Sequence, residues 1–146
     1  KTKEGYLDAG IRDYAGRLSR FLSVEMPVLR ERCSHRESDE TIKRSEAGQL
    51  LEQAQGANLR VALDTRGTTP DSHELAALLG KWEGQGIFTL CFLIGGHLGL
   101  HASVLEQCQV QLSLSRLTFT HEMTRLILLE QLYRACTIKA GHKYHK

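Results

Sequence analysis

TLCFLIGGHLGL, residues 89–100, decides how this chain is built. Its first half, Thr89–Ile94, is the most apolar run in the sequence and reads as a central strand of a sheet. Gly95, Gly96 and Gly99 follow at once, as glycines do where backbone turns sharply or approaches a ligand closely. The spacing is neither GxGxxG nor a phosphate loop, since no Gly-Lys-Ser/Thr follows. Taken alone, the stretch fits a tight strand-to-helix turn as well as a ligand loop.

Upstream, Asp71 and Glu74 form a capping-box pattern just after Pro70. Leu75, Leu78, Leu79 and Trp82 then mark one buried helix face, which Gly84 and Gly86 end. Before it, LRVALD at 59–64 reads as a buried strand. Residues 30–46 mix acidic and basic side chains and read as a solvated loop leading into a polar helix, with Asp39 as N-cap and Ile42, Leu50 and Leu51 as its apolar surface. A short strand is expected over Val24–Glu31, weakened by Pro27. Leu7, Ile11, Tyr14, Leu18 and Phe21 step by 4, 3, 4, 3, the stripe of an amphipathic helix. Downstream come a short helix at 101–107, a strand near 109–114 and a long helix from His121 to Ile138 that is apolar on more than one side. Alternating strands and helices indicate an α/β domain with a mostly parallel sheet flanked by helices. Such sheets bind ligands beyond the carboxyl ends of their strands, here the loops after Leu63, Ile94 and Leu114.

A chain of 146 residues holds one domain, 1–146, and its 41% hydrophobic and 25% charged residues match a globular protein. No apolar run approaches the roughly 18 residues of a membrane span, and Lys1–Gly10 does not resemble a signal peptide. The net charge of +2 is too small to announce a nucleic-acid binder by itself. Yet no acidic residue follows Glu130, while Arg134, Lys139, Lys143 and Lys146 do, with His142 and His145 between them. That tail is either a solvated terminus or a phosphate-contacting segment. Cys33, Cys91, Cys108 and Cys136 form no CxxC pair, and a reduced, cytoplasmic protein is the simplest reading. His97 and His101 are four apart but separated by Gly99, and nothing completes a metal set, so no metal is expected. Ser103, His121 and Asp64 lack the GxSxG elbow of a hydrolytic triad. In TRLILLEQLYRA, 124–135, Arg125, Glu130 and Arg134 stand among leucines, where they either solvate an edge or lie at a site or interface. Leu126, Ile127, Leu128, Leu129 and Leu132 spread around this helix, more apolar surface than a monomer buries, so a homodimer is expected.

The combination of FLIGGHLGL, LSLSRLTFTHEMTRLILLEQLYRA and AGHKYHK, over nearly the whole chain, resembles the large-subunit ribosomal RNA methyltransferase H family. These are pseudouridine N3-methyltransferases of the SPOUT, or α/β-knot, superfamily. The resemblance implies a C-terminal trefoil knot, an exception to the rule against knots. It also implies S-adenosyl-L-methionine as cofactor, a homodimer, and as partner the ribosomal RNA of the assembled ribosome. The matched cofactor positions are Leu63, Gly95 and the knot loop Leu114, Ser115, Arg116, Leu117, Thr118 and Phe119. The family begins with a strand before the first helix, and this chain starts almost inside that helix, so a first strand is expected to be missing from it. Thr120 stands where relatives commonly carry Pro.

The implied reaction transfers a methyl group to N3 of a uracil-like ring, whose proton must be removed or shared. Candidate catalytic residues are His121, Arg125, Arg134, Tyr144 and His145. The Tyr144–His145 tail is expected to orient or deprotonate the base and Arg134 to stabilise negative charge, the alternative for the tail being a packed cover on a partner subunit. The competing function is a non-catalytic ribosome-binding or assembly module on the same scaffold, since a fold does not guarantee activity.

Overall fold

Val61 and Ala62 are neighbours on one strand and so point to opposite faces, yet both are fully buried. They mark the middle of the sheet. The computed structural model describes residues 5–29, 36–95 and 98–145. Its elements are α1 (Gly5–Leu18), α2 (Asp39–Gln53), β1 (Leu59–Thr68), α3 (Ser72–Gly84), β2 (Leu90–Ile94), α4 (Ala102–Gln107), β3 (Val110–Leu112) and α5 (His121–Ala140). The three strands pair in the order β2-β1-β3, all parallel. The expected α/β class with a parallel sheet is therefore observed.

The position of one strand is corrected. The apolar run at 89–94 is not central among the described strands: β2 lies at an edge and β1 in the middle. Only Leu93 of β2 is fully buried, because an apolar sequence reports burial without reporting which neighbour provides it. Two further expectations change. Residues 24–29 form no strand, Pro27 having no N–H to give a ladder, and residues 30–31 of that expected strand lie outside the described residues. The N-cap of α2 is Ser38, whose Oγ accepts from the Thr41 amide at 3.2 Å, and Asp39 is the first helical residue.

The described residues group into two compact units, residues 28–69 with 87–121 and residues 1–27 with 70–86 and 122–146. In the first, Ala62 and Leu93, register partners on β1 and β2, pack with Ala47 and Ala54 from α2 and its C-cap and with Leu100 and Val104 at α4. In the second, Ile11 and Leu18 of α1 pack on Leu129 and Cys136 of α5. Gly10 allows that approach, since a Cβ there would lie 3.0 Å from Leu126 Cδ1. The capping box at α3 is formed: Asp71 accepts from the Glu74 amide at 2.7 Å and Glu74 from the Asp71 amide at 2.9 Å. Cys91, Cys108 and Cys136 are free thiols whose pKa burial pushes up, so they act as small apolar side chains. Among the described residues no helix is long and apolar enough to cross a membrane.

Candidate functional site

In the sheet-bearing unit the carboxyl ends of the strands come together by register. Leu63 pairs with Ile94 on one side and Leu112 on the other. Strand β1 continues to Thr68, so Leu63 is not its last residue, but the regular ladder stops there and the register slips between Leu63 and Thr68. Gly95 follows β2 directly. A Cβ at Gly95 would lie 2.7 Å from the Gly99 carbonyl carbon and 3.0 Å from the Leu100 nitrogen, so the turn folds back against itself at this residue. Gly67, which no sequence pattern singles out, is pressed the same way, a Cβ there meeting Gln111 backbone at 2.7 Å. Asp64 is turned to Arg66, which donates from Nε at 2.8 Å, from Nη2 at 3.1 Å and from its backbone amide at 2.9 Å. The guanidinium holds the Asp64 carboxyl below its ordinary pKa.

The loop after β3 holds its shape locally. The Ser113 amide donates to the Thr68 carbonyl at 2.7 Å, and Ser113 Oγ donates to the Ser115 carbonyl at 2.6 Å. Ser115 Oγ in turn accepts from the Leu117 amide at 3.0 Å. Leu117 is 71% exposed beside exposed Arg116 and Thr118, an uncovered apolar side chain on a braced loop. The positions Leu63, Gly95 and 114–119 thus all lie at or just beyond the end of the regular ladder on the carboxyl side of the strands. Gly96 and His97 lie outside the described residues, so the His97–His101 spacing has only one described member. Among the described residues no three His, Cys, Asp or Glu side chains gather as metal ligands.

The helical unit carries a second constellation. Glu130 on α5 accepts from Arg134 Nη2 at 2.6 Å, Tyr144 Oη at 2.9 Å and Gln131 Nε2 at 2.7 Å. Gln131 is itself fixed by Ser72 Oγ at 2.7 Å. Because Tyr144 donates its proton to Glu130, the 3.0 Å contact with Tyr14 Oη has Tyr14 as donor. Burial, and beside it the Glu130 carboxylate that takes the Tyr144 proton, push the Tyr144 phenol well above its usual pKa. Arg134 lies 4.8 Å over the Tyr144 ring and donates from Nη1 to His145 Nδ1 at 3.0 Å, which leaves the His145 proton on Nε2. The Glu130 hydrogen bond raises the Arg134 pKa further, so this cation is permanent.

Arg134, Tyr144 and His145 are therefore brought together. Arg125 stands nine residues before Arg134 on the same helix, about 13 Å along its axis, and His121 is the first residue of that helix. The sequence pattern had shown Glu130 and Arg134 as an i, i+4 pair, and they are one, at 2.6 Å. Tyr14 was legible only as a member of an apolar stripe, because nothing local marks a hydroxyl that reaches 130 residues along the chain.

Comparison with known proteins agrees over the full length. A family model described as "Predicted SPOUT methyltransferase" matches residues 1–145. A Methanoregula boonei relative is 45% identical, covering 100% of this chain and 94% of its own. The ribosomal RNA large subunit methyltransferase H of Desulfotalea psychrophila is 42% identical with the same coverages. That of Heliobacterium modesticaldum is 42% identical, again over 100% of this chain and 94% of the relative.

Proposed function

The chain belongs to the SPOUT methyltransferase family, and from that premise we propose that it methylates N3 of a pseudouridine in large-subunit ribosomal RNA, using S-adenosyl-L-methionine and acting as a homodimer on the assembled ribosome. The relatives' shared name, ribosomal RNA large subunit methyltransferase H, supports the substrate class. The observation that carries the reading is the polar cluster of Arg134, Tyr144 and His145, oriented about the accepting carboxylate of Glu130 on helix α5 and its tail.

The residues at the carboxyl ends of the strands fit the cofactor. An exposed leucine on a braced loop offers an apolar face for adenine, and the adjacent backbone and hydroxyl groups offer partners for its polar edge. Leu63, Gly95 and Leu114–Phe119 would hold it. When bound, the cofactor supplies an electrophilic methyl group on a sulfonium.

The chain's own part is orientation. Tyr144, its pKa pushed up, keeps its proton at neutral pH and gives it to Glu130, so it holds the cluster in place rather than acting as a base. His145, with Nδ1 engaged by Arg134, presents Nε2–H, the form that donates to a carbonyl oxygen of a uracil-like ring. Arg134 contributes fixed positive charge where the ring becomes negative as its N3 proton leaves. His121 and Arg125, in the first two turns of α5, are the further candidates for contacting the base. The homodimer is supported by the apolar side chains Tyr6, Phe21, Leu22 and Met26 that the helical unit leaves exposed.

The test is methylation of ribosomes from a strain lacking this activity, read by mass spectrometry of the ribosomal RNA. One added methyl on one pseudouridine is expected with wild-type protein and a loss of at least tenfold in rate with Arg134→Ala. Cofactor binding without any methyl transfer to ribosomes would overturn the catalytic reading in favour of a binding module.

A further inference from the structure

His101 is a partly buried histidine that the reaction above does not use. Both its ring nitrogens are committed. Nδ1 accepts from the Ser103 amide at 3.1 Å, capping α4, and Ser103 Oγ lies 2.9 Å from the same atom. With that lone pair occupied, the proton sits on Nε2 and is donated to Glu40 Oε1 at 2.8 Å. Glu40 belongs to the first turn of α2, 61 residues away in sequence, and its other neighbour is Arg44 at 3.5 Å. Capping alone needs only a short polar side chain such as Ser, Asp or Asn. A histidine caps here and also reaches a second helix, which none of those side chains does.

What the bridge restrains is the turn after β2. Leu100, directly before His101, is buried in the cluster that also holds Ala47 and Ala54. Gly99 has φ +82°, and its carbonyl together with the Leu100 amide is the backbone that Gly95 presses against. The exit of the turn is thus fixed twice in three residues, by an apolar anchor at Leu100 and a polar one at His101. We propose that His101 is a positioning residue for the cofactor loop: by tying the start of α4 to Glu40 of α2 it holds the Gly99–Leu100 backbone against Gly95. The proposal rests on the reading that this strand-end turn contacts S-adenosyl-L-methionine.

Calorimetric titration of the full chain with S-adenosyl-L-methionine tests it without any turnover. His101→Asn keeps a good cap but cannot reach Glu40, and Glu40→Ala removes the acceptor from an exposed position. Each should weaken binding about fivefold, the size of one charge-assisted hydrogen bond with a solvent-exposed acceptor. The double variant should be no weaker than either single one, because both remove the same bond. Glu40→Gln keeps an acceptor oxygen, loses the ion pair with Arg44, and should bind within twofold of wild type. In turnover the variants should raise KM for the cofactor with kcat little changed. Wild-type affinity in both Glu40→Ala and His101→Asn would overturn the proposal while leaving the loop's role intact. A wild-type protein that binds no cofactor would remove the loop reading and this proposal with it. If His101→Asn fails to fold, Glu40→Ala, at an exposed position, still decides.

Discussion

At the scale of single residues, the hydroxyl of Tyr144 accepts from Tyr14 and donates to Glu130, and its pKa is raised, first by burial and then by the Glu130 carboxylate. A phenol whose pKa is higher in the fold than in the unfolded chain stabilises the fold fully below the unfolded value of about 10, and that stability is lost as pH rises from there toward the folded value. Urea unfolding at pH 8 and at pH 10.5 should therefore show a larger loss for wild type than for Tyr144→Phe, and equal losses would show that the phenol is not held as described. Gly95 makes the complementary point. The sequence called for a glycine there, with room for a ligand as the reason. The structure supplies a nearer reason, backbone packing at 2.7 Å, so even Ala must displace Gly99. Gly95→Ala should lower stability by about 1–3 kcal/mol, the usual cost of overpacking, measured from the urea midpoint, and weaken cofactor binding at the same time. Unchanged stability would mean the turn relaxes freely.

At the scale of elements, periodicity and capping chemistry are local, and they were legible. The stripe through Leu75, Leu79 and Trp82, the Asp71–Glu74 box and the end near Gly84 all appear in α3 where the sequence places them. Position within the sheet was not legible, because β1 and β2 both read as apolar runs and only pairing distinguishes middle from edge. The basic tail shows the same division. Its charges were plain in the sequence, but their partners were not: Lys139 Nζ is 3.1 Å from Glu83 Oε2 on α3, while Lys143 is exposed. A lysine already paired has less charge to offer a phosphate. Lys143→Ala should weaken ribosome binding and flatten its log–log salt dependence by roughly one unit. Lys139→Ala should do less, since the charge of Lys139 is already offset by Glu83. Equal effects of the two substitutions in a salt titration would place Lys139 on the RNA surface despite its ion pair.

At the scale of the whole molecule, the trefoil knot expected from the family's C-terminal motifs illustrates what sequence pattern omits. Threading is a property of the entire chain path, and no residue type or spacing encodes it, so that expectation comes from resemblance alone. Assembly is more nearly written in the residues. Helix α5 has partly buried side chains at Leu126, Ile127 and Leu132 as well as buried Leu128 and Leu129, and the same unit exposes Tyr6, Phe21, Leu22 and Met26. Scattered exposed hydrophobics need no explanation, but four of them, three within Phe21–Met26, favour a covered surface. A second copy is the partner that is always present at matching concentration, and a twofold assembly presents two copies of the basic tail to one ribosome. Sedimentation at micromolar concentration should give a dimer of about twice the 16.4 kDa chain mass. Leu22→Asp, at a 45% exposed position, should shift the protein toward monomer while leaving its helical circular dichroism unchanged, because a charge tolerated in water is costly in a buried interface. A wild-type monomer under these conditions would remove the dimer from the proposed function and return those apolar side chains to ordinary surface.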